Sequence, residues 1–231
     1  MLKILRHKKT AKKVWIFLAL IIIPAFALWG FGGAFRSREE SAPRGKIFGR
    51  NISSLEIKDS LSAVTTAAII QFGDNFPEAQ KNLNFQAPAW QRLILLEEAK
   101  RRKIKATDQE VVAAIENMPY FRYKGAFDNK TYEQTLQYVF HLKPRTFEEQ
   151  TRQNLMLNKL YRQVIDGVKI DAKEIEEAYK KVNKLENLSG AQAQNYQKEK
   201  ALFAKNLLEQ RKEEKFTKFI EALNKKAEQY K

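Results

Sequence analysis

The chain has no cysteine and only two histidines among its 231 residues. The absence of cysteine excludes a disulfide framework and thiol catalysis. His7 and His141 lie far apart along the chain, which argues against a histidine-based metal centre or catalytic triad. We therefore predict no catalytic residue, no metal site and no cofactor.

Turn-forming residues are also scarce, with nine glycines and six prolines, whereas 30% of the residues are charged. This composition favours helices over a turn-rich β fold. The eight tyrosines and fifteen phenylalanines argue against intrinsic disorder. The sequence thus predicts a mainly α protein with a buried core.

The net charge of +15 does not by itself indicate nucleic-acid binding. Six of the 42 basic residues precede position 14, which leaves 36 basic against 27 acidic residues in the remainder. Most of these form mixed-sign helical runs such as residues 97–102, and no nucleic-acid-binding motif is present. We predict no nucleic-acid partner, and the excess positive charge favours acidic clients or nearby anionic lipid.

Residues 14–35 form an uncharged run of 22 residues, long enough to cross a bilayer as a helix. Trp15 and Trp29 lie near its ends, where indole rings favour the membrane interfaces. The basic segment 1–13 should remain in the cytoplasm. The sequence therefore predicts a single-pass inner-membrane protein whose remaining residues lie on the periplasmic side.

A cleaved signal peptide is the alternative interpretation of this run. Ala25-Phe26-Ala27 has the small-x-small pattern of a cleavage site. However, the apolar run continues beyond it through residues 28–31, which favours a retained anchor. Both interpretations predict export of the rest of the chain, in which residues 36–45 form a polar linker and residues 46–231 the helical domain.

Within this domain, Lys46-Ile47-Phe48 is a candidate strand, and Gly49-Arg50-Asn51 a turn. Four capping-box patterns then predict helix starts at Ser53–Glu56, Thr107–Glu110, Thr146–Glu149 and Asp171–Glu174. The apolar face expected for the first helix comprises Leu55, Leu61, Val64, Ala68 and Ile69. The other predicted elements are a helix over residues 88–102, a turn over residues 119–132 with an N-cap at Asp128 or Asn129, and a final helix. The final helix, over residues 195–231, should pack back across the core formed by residues 46–183.

Several segments resemble one family when they are taken in order. They are the run from Lys46 to Ser53, the helix Ala89–Ile104 with its basic end, the spaced residues Phe121, Gly125, Phe127, Asp128, Tyr132 and Leu136, and the run Thr146–Glu149. Together they resemble the N-terminal chaperone domain of the SurA/PpiD family. The predicted anchor resembles its membrane-bound, PpiD-like branch.

The resemblance implies a periplasmic chaperone that binds unfolded exported or outer-membrane polypeptides. Members of this family often carry a parvulin peptidyl-prolyl isomerase domain. Here the segment between Lys184 and the final helix is too short for one, and the parvulin active-site histidines have no counterpart. We therefore expect a chaperone without isomerase activity. A scaffold for one specific partner and a residual isomerase are the alternatives.

Five aromatic residues are candidates for client contact: Trp90, Tyr120, Phe121, Phe127 and Tyr132. The alternative is that they are structural and fix a turn between helices onto the core, as aromatic residues at helix junctions usually do. We favour the structural interpretation.

Overall fold

A computed structural model describes residues 43–228. This part of the chain is mainly helical, as predicted. No helix within it has both the length and the hydrophobicity needed to span a bilayer. The predicted transmembrane segment 14–35 lies outside the described residues.

The described chain opens with an antiparallel hairpin. Strand β1 (Pro43–Ile47) pairs with strand β2 (Arg50–Ser53) across a two-residue turn. Both turn residues, Phe48 and Gly49, have positive φ angles of 49° and 80°, the conformation that suits the twist of tight hairpins. Strand β1 thus begins inside the predicted linker 36–45, and the predicted turn at Arg50-Asn51 is strand.

Helices make up most of the remainder. They are α1 (Ser54–Phe72), α2 (Phe76–Ala79), α3 (Gln86–Arg101), α4 (Asp108–Glu116), α5 (Asn129–Thr135), α6 (Pro144–Ile165), α7 (Ala172–Asn183) and α8 (Gly190–Glu228). A second small hairpin, β3 (Arg122–Tyr123) and β4 (Ala126–Phe127), precedes α5, and a π-helical turn (Leu136–Phe140) follows it.

Capping explains several helix starts. Reciprocal hydrogen bonds join Ser53 to Glu56 and Thr107 to Glu110, which confirms the boxes predicted for α1 and α4. Asp171 caps α7, and its side chain accepts a hydrogen bond from the Glu174 backbone N–H. The box predicted at Thr146–Glu149 is wrong, because α6 begins earlier, at Pro144, whose fixed φ suits a first helical position.

Helix α1 buries only part of the face predicted for it: Ala68 is buried as predicted, and Leu61, Val64 and Ile69 are half-buried. Its buried residues are Ser54, Ser60, Ala63, Thr66 and Ala68, whereas Leu55 is 48% exposed. Small side chains let α1 lie close to α3, and the Ser60 hydroxyl donates a 2.7 Å hydrogen bond to the Ala89 carbonyl. Close helix packing therefore determines the buried face here, and the larger apolar residues do not.

Helix α8 returns along the molecule and closes the fold, as predicted, although it begins at Gly190 and not near 195. Close to its end, Leu223 and Ala227 pack on Ile47 and Ile52 of the first hairpin and on Leu93 of α3. Near its beginning, it forms a separate apolar cluster with α7. The first hairpin is therefore packed between α3 and the C-terminal part of α8.

Candidate functional site

The centre of the candidate site is the short helix α4. Its Val111 and Ile115 point into a buried cluster with Phe121, Leu136 and Phe147. Val112, which follows Val111 in the helix, lies outside this cluster and is 53% exposed. One apolar face of α4 therefore anchors the helix, while an adjacent valine remains available at the surface.

An aromatic cluster beneath α4 holds the segment between α4 and α6. Phe121 is fully buried and lies edge-on to four rings, with centroid distances of 4.6 Å to Tyr120, 4.9 Å to Tyr132, 5.3 Å to Phe147 and 6.3 Å to Phe140. Edge-to-face packing of this kind stabilises a core beyond simple burial. The second hairpin and α5 are thereby fixed against α6.

The positions of the five candidate aromatics agree with a structural role for most of them. Phe121 and Tyr132 are buried, and Tyr120 packs against both Phe121 and Phe140. Trp90 covers the first hairpin so closely that a Cβ at Gly45 would lie 2.7 Å from its ring. Tyr120 and Trp90 also line two surface grooves, and Phe127 and Tyr132 together line a third.

We call this the α5-side groove, because it lies between α4 and α5. It has a volume of about 320 Å³. Its apolar walls are formed by Val111, Val112, Ile115, Phe127 and Tyr132. Its polar residues are Asp108, Glu116, Asn129, Glu148 and Arg152. An apolar cleft with a few polar groups at its edge is the usual form of a binding site for a small or extended ligand.

One polar group in this groove is unsatisfied. The Tyr132 hydroxyl is buried and has no hydrogen-bond partner among the residues that the structure describes. Burial, with a contribution from the Glu148 carboxylate, raises the pKa of Tyr132 to about 12. Buried hydroxyls normally have a partner, and this oxygen lies below the surface of the groove, since the atom itself is not accessible.

The single cation of the groove is already engaged. The Arg152 guanidinium donates a 2.6 Å hydrogen bond to Asp108 and a 2.9 Å hydrogen bond to the Ala106 carbonyl. Glu116 and Glu148 have no ion-pair partner within residues 43–228. The groove edge therefore carries uncompensated negative charge.

A second groove lies on the opposite side of α4, and we call it the α1-side groove. Its lining includes Ala63, Thr66 and Ile70 of α1, Ala114 of α4 and Leu155 of α6, around a volume of about 330 Å³. Ile70 is 43% exposed. Together the two grooves leave apolar surface accessible on both sides of α4.

Other titratable residues that attract attention in the sequence are occupied by structural contacts. His141 is exposed, ends the π-helical turn in a left-handed conformation, and its ring contacts the Gln137 carbonyl at 3.1 Å. Glu97 binds Arg50 and Lys100, while Glu98 binds Arg102. Within residues 43–228 no group of His, Asp or Glu side chains is arranged to hold a metal ion.

A family model described as a SurA-like N-terminal domain matches residues 1–161. The chain belongs to the SurA-like N-terminal domain family. Both grooves of this SurA-like domain lie inside the matched range, whereas α7 and α8 lie beyond it. No curated protein and no solved structure matches the chain.

Sequence reasoning missed the grooves of the SurA-like domain. Their walls come from α1, α4, β4, α5 and α6, so no single stretch of sequence carries the pattern. One local signal was available in α4. Val111 and Ile115 are sufficient to form the buried face of this short helix, so the additional apolar residue Val112 indicates a second apolar surface.

Proposed function

We propose that this protein is a membrane-anchored periplasmic chaperone that holds unfolded exported polypeptides, including outer-membrane proteins, without catalysing their isomerisation. The observation that carries the proposal is the exposed apolar wall of the α5-side groove at Val112, within the range that matches the SurA-like family. Unfolded chains expose apolar segments, and burying such segments in a cleft is favourable with little sequence specificity.

The direct test is suppression of aggregation. A urea-denatured outer-membrane protein is diluted into buffer with the full chain in lipid nanodiscs, and light scattering is recorded against empty nanodiscs. We expect scattering to fall in proportion to the chaperone added. Unchanged scattering at severalfold molar excess contradicts a holding function.

A matched pair of variants locates the activity. Val112→Gln removes a valine that is 53% exposed from the groove, and Val182→Gln removes a valine that is 70% exposed from α7. Glutamine is accepted in helices at least as well as valine, so both variants should fold. We expect loss of holding activity for Val112→Gln alone, and equal effects of the two changes would exclude the groove.

The absence of catalysis is part of the proposal. Support comes from the engagement of His141, Glu97 and Glu98 in structural contacts, and from the short connection of residues 184–189 between α7 and α8. A prolyl-peptide isomerisation assay on the full chain should give the uncatalysed rate. A rate that increases with protein concentration would show a residual isomerase.

The anchor is proposed from residues 14–35. We expect the full chain to remain in the membrane pellet after alkaline extraction, and its N-terminal sequence to begin before residue 14. Release into the supernatant with a new N-terminus after Ala27 would show a cleaved signal peptide.

Crosslinking in cells to many clients supports a chaperone, whereas crosslinking to a single stoichiometric partner supports a scaffold.

A further inference from the structure

The charge of the α5-side groove is opposite in sign to that of the whole chain. The protein carries a net charge of +15, yet three carboxylates, Asp108, Glu116 and Glu148, line the groove against one arginine. Arg152 is paired with Asp108 at 2.6 Å, so the charges of Glu116 and Glu148 are left over. The net charge of the chain alone predicts acidic clients, but the residues that line the groove carry an excess of two negative charges, three carboxylates against one arginine.

Arg122, at the C-terminal end of α4, is directed at groups other than the groove carboxylates. Arg122 donates to the backbone carbonyl of Glu116 at 3.3 Å and to the Asn117 side chain at 3.0 Å. It forms no ion pair with the Glu116 carboxylate among the described contacts. Its guanidinium therefore covers the end of α4 and leaves that carboxylate available to a ligand.

Tyr132 joins the groove to the aromatic cluster, because the residue belongs to both. The residue is 7% exposed, lines the groove, and its hydroxyl has no partner among residues 43–228. The Glu148 carboxylate is close enough to perturb its ionisation. A lysine ammonium has three donors, so it can bind more than one carboxylate at once.

We infer that the α5-side groove selects apolar client segments that carry a lysine or arginine beside their apolar residues, with the cation bound by the carboxylates of Glu148 and Glu116. This inference rests on the proposed chaperone function and specifies its substrate class. The apolar walls bind the segment, and the acidic edge chooses among segments by electrostatic complementarity.

The test uses three fluorescein-labelled peptides that share one leucine- and phenylalanine-rich core and differ only in flanking lysine, serine or glutamate. Binding to the full chain in nanodiscs is measured by fluorescence anisotropy at low and high salt. We expect the lysine peptide to bind about threefold to tenfold more tightly than the serine peptide, the range for two partly exposed ion pairs. The glutamate peptide should bind most weakly, and salt should reduce these differences.

The variant Glu116→Gln/Glu148→Gln should abolish the preference, so that the lysine and serine peptides bind it with equal affinity. Its control, Glu177→Gln/Glu213→Gln, changes the net charge equally at exposed sites of α7 and α8 that do not line the groove. An equal loss of preference in the control would overturn the inference, because the effect would then come from overall charge.

The possible outcomes distinguish failure of this inference from failure of the proposed chaperone function. If no peptide binds the wild-type chain, the chaperone function itself fails. If the serine peptide binds and flanking charge has no effect, the inference fails while the chaperone function stands. A change in oligomeric state of the double variant, seen by light scattering, would show that the groove receives a second copy of the chain, and this too would overturn the inference.

Discussion

Replacement of Phe121 by alanine should remove much of the stability of the domain. The side chain is fully buried and contacts the rings of Tyr120, Tyr132, Phe140 and Phe147. Truncating a buried phenylalanine costs about 3–5 kcal/mol, because transfer energy is lost and a cavity remains. A domain of ordinary stability has only about 5–15 kcal/mol in total, so the expected loss is a large fraction.

The assay is urea unfolding of the full chain in mild detergent, followed by far-ultraviolet circular dichroism. Two controls frame the result. Phe121→Leu keeps most of the volume and should cost less, while Tyr123→Ala removes a ring that is 62% exposed and should change stability by less than about 0.5 kcal/mol. If the free energy of unfolding of Phe121→Ala lies within about 1 kcal/mol of the wild-type value, the aromatic cluster is not the core of this region. Phe121 would then again be a candidate for client contact.

Three further predictions concern the first hairpin and the helix starts. Although burial alone would raise the pKa of Glu56, hydrogen bonds from Arg50 and Ser53 lower it to about 2. The contribution of the ionised Glu56 to the free energy of unfolding should therefore be complete above pH 4.5 and lost as the pH falls toward 2. A stability difference between wild type and Glu56→Gln that does not change with pH would contradict this. Gly45→Ala should lower the free energy of unfolding by about 1–3 kcal/mol because the new Cβ overlaps the Trp90 ring, and an unchanged urea midpoint would refute the close packing. Thr107→Ala should cost about 0.5–2 kcal/mol through loss of the α4 cap; no shift in the urea midpoint would show that the cap contributes little.

Local signals in the sequence were sufficient for much of the fold. Capping boxes depend on two side chains three residues apart, so Ser53, Thr107 and Asp171 marked helix starts correctly. The α6 start was misplaced because Pro144 can begin a helix without a side-chain cap, and the competing pattern at Thr146 lies within the same turn. The strand β2 was missed because its four residues carry little alternation before the helix begins.

The sequence by itself determined the helical class, the family and the return of the last helix. These follow from composition, local capping and the order of motifs, all of which are read along the chain. Only the tertiary structure decided which face of α1 is buried, because that depends on how closely α3 approaches its small residues. The tertiary structure also brought Glu116 of α4 together with Tyr132 of α5 and Glu148 of α6 around one groove, since their proximity arises from the packing of three separate helices.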